Sequence, residues 1–294
     1  MTVTNTPYSP QEVTIAGGAG ADHLETYQTR AALDGGDGDD LLRPDDRPSA
    51  LSLPPVPTPG GTVAGGRGVD TVSYDNALDP IDVSLDGRPN DGRAGERDDV
   101  RPDVENVIGS PFAGTLIGSA AGNALRGGNG DDTIVGHAGR DDLAGAAGAD
   151  TIDALDGAGG DRVDCDNGTT ATDVAYADAG DAIAAGTCER VVWAPAIGST
   201  TLRLHDGRVA LALSCPRGGS ACRGDVRLRS AAGRPFALAG GRYTIRSGGR
   251  ASLPLTASRA LRAALRGSRR VRATAIVSPR GRVASSGRAV IVRR

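Results

Sequence analysis

Carboxylates and glycines recur together at fixed intervals in this chain. The stretch from Gly127 to Asp153 divides into nine-residue rows that read GGNGDDTIV, GHAGRDDLA and GAAGADTID. Each row has glycine near its start, aspartate at its sixth position and an aliphatic residue at its eighth. Carboxylate and backbone carbonyl oxygens are the hard ligands that Ca²⁺ prefers, at about 2.3–2.6 Å. The spacing therefore indicates a repeated cation site, and a role for these acids in general acid–base catalysis is not favoured.

The pattern extends on both sides of the central rows. GSPFAGTLI and GSAAGNALR precede them from Gly109, and DGAGGDRVD follows from Asp156 after the insertion of Ala154 and Leu155. Three further rows begin at Gly17, Gly35 and Gly65. The sixth positions, in chain order, are Asp22, Asp40, Asp70, Gly114, Asn123, Asp132, Asp141, Asp150 and Asp161.

Each position of the row has a physical role. Glycines at the first, second and fourth positions permit positive φ, so the backbone can turn tightly and direct several carbonyls to one point. The aliphatic eighth residue is expected on a short strand with its side chain pointing inward. One row cannot bury this side chain alone, which predicts a stacked array of rows around a continuous apolar ladder.

These rows resemble the RTX, or hemolysin-type, calcium-binding repeat family, G-G-x-G-x-D-x-U-x, over residues 17–43, 65–73 and 109–164. The resemblance implies a right-handed parallel β-roll in which two rows make one coil and calcium lies between stacked turns on the same edge. It pairs Asp22 with Asp40, Asn123 with Asp141, Asp132 with Asp150, and Asp141 with Asp161, and it makes Asp70 a further ligand. It also implies backbone carbonyl ligands from positions one, three and five, namely Gly127, Asn129, Asp131, Gly136, Ala138, Arg140, Gly145, Ala147 and Ala149.

Some segments depart from the repeat. Gly114 brings no carboxylate to its row, and Asn123 is a neutral ligand at best. Residues 44–61 form a proline-rich segment that breaks the spacing and is expected to be a surface loop. IDVSLDG and DVENVIG alternate like strands, and NDGRAGERDD between them is predicted to be an irregular, acidic coil.

The charge distribution predicts two domains. The net charge is −3, but residues 1–192 carry 34 acidic residues against 12 arginines, whereas residues 193–294 carry 2 against 21. Such an asymmetry favours domains with different partners. We expect an all-β chain: a right-handed parallel β-roll solenoid over 1–192, with the loop at 44–61 and a disulfide-tied cap at 165–192, followed by a small Arg-rich C-terminal β-sandwich over 193–294.

Period-two alternation runs through the C-terminal part. Val209, Leu211 and Leu213 share a face with Cys215, and Val226 and Leu228 share a face with Cys222. A hairpin across PRGGSA would place Cys215 opposite Cys222, Leu211 opposite Val226 and Val209 opposite Leu228, at a distance suited to a disulfide. Further strands are expected at 242–246, 251–255, 271–277 and 289–293. Ser258 to Arg266 is predicted to be a short helix with Ser258 as N-cap and Gly267 as its end.

The cysteines favour an oxidising compartment. Cys165 and Cys188 lie in the cap segment, and Cys215 and Cys222 lie in the C-terminal part, which suggests local pairing. We therefore expect an extracellular or cell-surface protein. The first residues, MTVTNTPYSPQEVTI, have neither the basic nor the apolar region of a secretory signal, so the export route is not visible in this chain. No apolar run is long enough to span a membrane.

The sequence thus predicts a calcium-binding, structural or adhesive extracellular protein that is not an enzyme. One alternative is a secreted enzyme with an unrecognised active site, although H-E-x-x-H, G-x-S-x-G and phosphate-loop motifs are absent. Another is a module that binds an anionic surface polymer through the basic C-terminal domain. Aromatic content is only 3%, so no specific reader of nucleic acid is expected.

Overall fold

The computed structural model describes residues 13–26, 31–44, 60–165, 171–198, 201–218, 220–231, 237–279 and 284–293. Most of these residues are in β-strands. The repeat region and the segment after it contain β1 Val13–Ala19, β2 His23–Glu25, β3 Ala31–Asp37, β4 Leu41–Arg43, β5 Thr62–Arg67, β6 Thr71–Ser73, β7 Ile81–Ser84, β8 Gly92–Arg93, β9 Asp99–Val100, β10 Asn106–Ile108, β11 Thr115–Ile117, β12 Ala124–Asn129, β13 Thr133–Val135, β14 Asp142–Ala147, β15 Thr151–Ala154, β16 Arg162–Asp164, β17 Val174–Ala177, β18 Ala182–Ile183 and β19 Arg190–Trp193.

Successive strands of this region alternate between sheets. An eight-stranded parallel sheet has the order β18-β16-β14-β12-β10-β6-β4-β2. The intervening strands form a four-stranded parallel sheet, β1-β3-β5-β9, and a seven-stranded sheet, β19-β17-β15-β13-β11-β7-β8, in which β8 pairs antiparallel to β7. Each coil therefore contributes one strand to the eight-stranded sheet and one strand to either the four-stranded or the seven-stranded sheet, as in a parallel β-roll.

The register follows the nine-residue period. In the central rows Leu125 lies opposite Leu143 and Ile134 opposite Ile152, which is one coil or two rows apart. Leu143 then lies opposite Val163, so the inserted Ala154 and Leu155 lengthen that coil without shifting the register. The eighth-position side chains are at most 2% exposed and form the core, namely Leu24, Leu42, Val72, Leu116, Leu125, Ile134, Leu143, Ile152 and Val163.

The segment that was expected to be an irregular, acidic coil contains short strands and a turn, and three of its acidic side chains are buried. Residues 90–99 include β8 and the start of β9, and Asp91 and Asp98 form an antiparallel bridge through their backbones. Asp91, Glu96 and Asp98 are 1%, 4% and 4% exposed. The prediction of an irregular coil was wrong because the carboxylates of Asp91 and Asp98 accept hydrogen bonds from the backbone of other segments. The proline-rich loop lies outside the described residues, except for Pro44, Gly60 and Gly61.

The predicted cap strands DVAYAD and DAIAAG appear as β17 and β18, and Cys165 and Cys188 form a disulfide. By their contacts the residues group into two compact units. One contains the chain to Ala154 with 160–175 and 182–189, and the other contains 155–159, 176–181 and the chain from Arg190 onward. The proposed domain boundary at 192 and the capping role of 165–192 stay predictions.

The C-terminal part contains β20 Ala196–Ile197, β21 Thr201–His205, β22 Arg208–Ser214, β23 Cys222–Ser230, β24 Ala237–Ile245, β25 Arg250–Thr256, α1 Arg259–Gly267, β26 Arg270–Pro279 and β27 Ala284–Arg293. The described strands form one hydrogen-bonded sheet of order β20-β22-β21-β27-β26-β23-β24, with β25 on β22. The predicted sandwich is therefore not confirmed. The predicted helix is confirmed, with the Ser258 hydroxyl accepting a hydrogen bond from the Leu261 N–H at 3.1 Å.

The predicted hairpin between β22 and β23 is wrong. β22 pairs with β25, which places Leu211 opposite Leu253, whereas β23 pairs with β24 and β26. Cys215 and Cys222 nevertheless form a disulfide with their Cα atoms 5.8 Å apart. A disulfide needs only one pair of close Cα atoms, whereas strand pairing is decided by backbone hydrogen bonds along the whole strand. No helix in the described part of the chain is long and apolar enough to cross a membrane.

Candidate metal centre

The turns between coils are built from the first six positions of each row. In the central row Gly128 and Gly130, at positions two and four, have φ of 124° and 98°. Position two keeps positive φ in two rows where a side chain is present, at His137 with φ 66° and Ala146 with φ 73°. The first-position glycines do not have positive φ. The sequence argument therefore holds for positions two and four, and glycine at position one needs another explanation.

Close approach of oxygen atoms explains the first-position glycine. A Cβ on Gly17 would lie 2.7 Å from Oδ2 of Asp22 in its own row and 2.5 Å from the carbonyl oxygen of Gly35 in the next coil. Gly127 repeats this arrangement, because a Cβ on Gly127 would lie 2.7 Å from the Gly145 carbonyl oxygen and would also contact Oδ2 of Asp132. Gly17, Gly35, Gly65 and Gly127 thus leave room for a carboxylate oxygen and a carbonyl oxygen beside each other, and Gly145 leaves room for Oδ2 of Asp150.

The sixth-position residues form two ladders along the stack. In what we call the long ladder, each residue precedes a strand of the eight-stranded sheet, and in the short ladder each precedes a strand of the seven-stranded sheet. The long ladder is Asp22, Asp40, Asp70, Glu105, Asn123, Asp141 and Asp161. The short ladder is Gly114, Asp132, Asp150, Asp173 and Glu189.

One carboxylate oxygen of each rung binds the backbone of the neighbouring coil. The Asp132 N–H donates to Oδ1 of Asp150 at 2.8 Å across 18 residues, and the Asp150 N–H donates to Oδ1 of Asp173 at 2.8 Å across 23. The long ladder has the same contact, for example from the Asp22 N–H to Oδ1 of Asp40 at 2.8 Å. Asp132 and Asp141, although adjacent in the row order, belong to different ladders.

The other carboxylate oxygen is buried without a hydrogen-bond partner at five of these rungs. They are Asp22, Asp40, Asp70, Asp132 and Asp150, and the unpartnered atom is Oδ2 in each. A buried, unpaired carboxylate oxygen is costly, and such atoms are normally satisfied by a donor or by an ion. This oxygen is the one that faces the first-position glycine.

Burial raises the pKa of two carboxyls of the short ladder, Asp132 and Asp150. The pKa of Asp132 is raised to about 7, chiefly by burial and further by the charges of Asp150 and Asp131. The pKa of Asp150 is raised to about 6 by burial and by the charges of Asp173 and Asp131. The carboxylate form of these groups is therefore disfavoured in the protein alone, and a bound cation would supply the missing opposite charge.

The donor set fits Ca²⁺. It consists of oxygen only, with a carboxylate oxygen and a carbonyl oxygen side by side at the turns of Gly17, Gly35, Gly65 and Gly127. Among the described residues no group of three or more His, Cys, Asp or Glu side chains is placed to hold a metal ion. A site on either ladder would therefore combine one or two carboxylates with backbone carbonyls.

The structure places the predicted side chains in these ladders. Asp22 lies beside Asp40, Asp132 beside Asp150, and Asp141 beside Asp161. The predicted carbonyl donors at Gly127, Asn129, Asp131, Gly136, Ala138, Arg140, Gly145, Ala147 and Ala149 all lie in the turns before the sixth positions or at the adjoining strand ends. Asp131 has an additional role, since its Oδ1 accepts a hydrogen bond from the Ala149 N–H at 2.8 Å.

Asn123 differs from the aspartates. Its Oδ1 accepts hydrogen bonds from the Ser119 N–H at 2.8 Å and the Ser119 hydroxyl at 3.1 Å, and its Nδ2 donates to the Glu105 carbonyl at 3.1 Å. The amide therefore closes its turn with protein hydrogen bonds alone. Its N–H donates to Oδ1 of Asp141 at 2.8 Å, so it still forms a rung of the long ladder.

Three rungs were missed from the sequence. Glu105 accepts the Asp70 N–H at 2.9 Å, and Glu189 accepts the Asp173 N–H at 2.7 Å. Glu105, Asp173 and Glu189 follow insertions that break the nine-residue spacing, and two of them are glutamates. The signal that could have found them is an acid two residues before a buried apolar residue, as in Glu105 before Val107 and Asp173 before Ala175.

Stacked parallel coils with carboxylate-lined turns define a repeat protein of the parallel β-roll class. A family model described as the RTX calcium-binding nonapeptide repeat matches this chain in four copies, over residues 117–152 and 127–163. Residues 117–163 are therefore RTX repeats, a family of calcium-binding repeats. A search of curated proteins finds no match to the chain.

Proposed function

We propose that this protein is a calcium-binding, extracellular structural or adhesive protein whose β-roll folds on binding Ca²⁺. The observation that carries the proposal is the set of buried carboxylate oxygens without a partner, on Asp22, Asp40, Asp70, Asp132 and Asp150. Each lies beside a first-position glycine. The matched calcium-binding repeats support the identity of the cation.

The ligands of each ion come from turns that are one coil apart. Asp132 and Asp150 would share one edge of the roll, together with carbonyl oxygens such as those of Gly127 and Gly145. Ca²⁺ supplies positive charge between carboxylates that otherwise repel one another. Because ligands from separate rows meet only in the folded chain, binding free energy becomes folding free energy. Asn123 is the weakest of the proposed side-chain ligands, since its oxygen is already hydrogen-bonded to Ser119.

An extracellular location is supported by the two disulfides, Cys165–Cys188 and Cys215–Cys222, which persist in oxidising compartments. Extracellular calcium modules bind with dissociation constants on the order of 0.1–1 mM. A roll that needs calcium at this level would fold outside the cell and stay loose where calcium is scarce. This dependence suits a structural or adhesive protein that works after export.

A calcium titration of the full chain, followed by far-ultraviolet circular dichroism and by thermal melting, tests the proposal. We expect the strand signal and the melting temperature to rise as calcium is added. Each independent site should add about 2.7 kcal/mol to the free energy of unfolding at a calcium concentration 100 times its Kd. Magnesium at equal ionic strength is the control, because it requires a smaller octahedral shell and should stabilise much less. An unchanged melting temperature in excess chelator would contradict the proposal.

The basic C-terminal part supports a second candidate, binding of an anionic surface polymer. On β23 the exposed Arg223, Arg227 and Arg229 alternate with the buried Val226 and Leu228, so the arginines share the outer face of the strand. A sulfated polysaccharide column run at increasing salt tests this candidate. Retention that falls steeply with salt, and falls further in Arg227→Gln/Arg229→Gln, would support it, and no retention at low salt would remove it.

A further inference from the structure

A second group of buried carboxylates lies outside the repeats, in the segment between β7 and β9. Asp91, Glu96 and Asp98 are each at least 96% buried, and they lie in a part of the chain that has no nonapeptide spacing and no match to the repeat family. We call them the acidic joint, because they connect strands of the four-stranded and the seven-stranded sheets.

Asp91 makes the connection between the sheets. Its Oδ1 accepts a hydrogen bond from the Ser84 N–H of β7 at 2.7 Å, and its Oδ2 accepts one from the Val100 N–H of β9 at 2.8 Å. Both oxygens act as acceptors, which is the pattern of an ionised carboxylate, since a protonated carboxyl group would have to donate from one of them. These two hydrogen bonds favour the carboxylate form of Asp91, whereas burial raises the pKa of this group to about 7.

Asp98 holds the chain where β5 begins. Its Oδ1 accepts a hydrogen bond from the Gly61 N–H at 2.8 Å, and the Gly60 N–H donates to the backbone carbonyl of Glu96 at 2.6 Å. Its Oδ2 is buried and has no hydrogen-bond partner. A Cβ on Gly92 would lie 3.0 Å from Oδ2 of Asp98 and 3.0 Å from Oε2 of Glu96. Two carboxylate oxygens therefore lie near Gly92, whereas at repeat glycines such as Gly17 one carboxylate oxygen lies beside a carbonyl oxygen.

The charges at the joint are only partly offset. Arg93 binds Glu96, with Nη2 3.2 Å from Oε1 and the Arg93 N–H donating to Oε2 at 3.0 Å. Neither Asp91 nor Asp98 forms an ion pair with an arginine in the part of the chain that the structure describes. Buried charges of this kind need a counter-charge.

We propose that the acidic joint binds one divalent cation of the Ca²⁺ type, through Oδ2 of Asp98 and Oε2 of Glu96, at a site separate from the repeat turns. Oxygen donors alone and a negative surrounding favour Ca²⁺, whose remaining ligands would be backbone carbonyls or water. The ion would stabilise the position of β9, which pairs with β5 in the four-stranded sheet. β9 follows the proline-rich loop and the segment that contains β7 and β8.

The experiment counts calcium bound per full-length chain, by equilibrium dialysis against saturating calcium followed by elemental analysis. We expect Asp98→Asn to bind one ion fewer than the unchanged protein, because the amide keeps the shape and the bond to Gly61 but loses the charge. Asp82→Asn is the matched control, since Asp82 is exposed on neighbouring β7, and it should leave the count unchanged.

Glu96→Gln gives the same test if Asp98→Asn does not fold. A loss of one ion in either variant, with the remaining ions retained, supports the proposal. An unchanged count in both would overturn it. Absence of all calcium from the unchanged protein would contradict the repeat sites as well, so the two failures are distinguishable.

Discussion

At the scale of single residues, the aspartate at position six has two separate tasks. Oδ1 of Asp150 accepts the Asp132 N–H and so joins two coils, whereas its Oδ2 faces Gly145 and has no protein partner. The first task needs only an acceptor and is structural. The second needs a charge and a cation, so changes at this residue should affect calcium-free and calcium-bound protein differently.

The ladders predict which aspartates share an ion. Asp132→Ala and Asp150→Ala should be strongly non-additive in calcium-dependent stability, because loss of either member already removes most of the contribution of their common site. Asp132→Ala with Asp141→Ala should be closer to additive, since these residues lie on different ladders. Urea unfolding of single and double variants, with and without calcium, measures the coupling. Coupling of Asp132 with Asp141, and none with Asp150, would refute the proposed pairing.

The first-position glycine predicts a steric effect on binding. Gly145→Ala places a methyl group against Oδ2 of Asp150, where the structure has no room for it. We expect calcium affinity of the central rows to fall at least about tenfold, equivalent to about 1.4 kcal/mol, in isothermal titration. Gly267→Ala is the control, because a Cβ there would meet nothing within 4 Å. Equal affinities in the two variants would argue against an ion beside Gly145.

At the scale of the structural elements, short strands are held by stacking. β13 and β16 have only three residues each, too few for a stable strand on its own, and each is paired with a strand one coil away. The eighth-position side chains join these strands into one apolar column. The acidic ladders run beside this column, so a coil is held by apolar contacts inside and by carboxylate contacts at its turns.

Leu143 tests the apolar column. It is fully buried between Leu125 and Val163. Leu143→Ala should lower the free energy of unfolding by about 2–5 kcal/mol in saturating calcium, as expected for a buried leucine. Leu78→Ala is the matched control, since Leu78 is 57% exposed, and it should change stability by less than about 0.5 kcal/mol. Similar losses in both variants would be incompatible with the column as the main support of the coils.

At the scale of the whole molecule, the acidic carboxylates and the arginine-rich sheet lie in two different compact units. The first contains both ladders and the acidic joint, and its stability is proposed to depend on calcium. The second consists mainly of a mixed sheet with arginines on its exposed faces and the disulfide Cys215–Cys222. The disulfide Cys165–Cys188 belongs to the last coils of the first unit. Calcium and thiol chemistry should therefore be separable.

Reduction tests this separation. Reduction of both disulfides should lower the melting temperature of the C-terminal unit and loosen the end of the roll. On the chain-entropy model a loop such as that closed by Cys165 and Cys188 is worth about 3 kcal/mol. Calcium bound by the central rows should remain, because the contact between Asp132 and Asp150 lies outside the loop that Cys165 and Cys188 close. Complete loss of calcium on reduction would mean that the last coils are required for the whole roll to form.

Local periodicity predicted stacked rows around an apolar column, and the resemblance of the rows to RTX repeats implied the parallel β-roll. An aspartate at position six specifies a turn, and an aliphatic residue at position eight specifies an inward-facing strand residue. Both features are local to one row and do not depend on contacts with distant segments. Leu125, Ile134, Leu143 and Ile152 were predicted from spacing alone and are all buried. The helix after Ser258 was predictable for the same reason, because an N-cap hydroxyl acts within one turn.

Only the tertiary structure decided the features that depend on distant segments. β22 and β23 are neighbours in sequence and both alternate correctly, yet each pairs elsewhere because longer runs of backbone hydrogen bonds are available with β25, β24 and β26. The sequence placed Asp91 and Asp98 in an irregular, acidic coil. Their burial depends on backbone N–H donors of Ser84, Val100 and Gly61, which no local sequence pattern places near them. The sequence period determines the turn and strand positions within one coil, because both are local. Strand pairing across an insertion depends on which distant backbone segments form the most hydrogen bonds, and only the tertiary structure decides this.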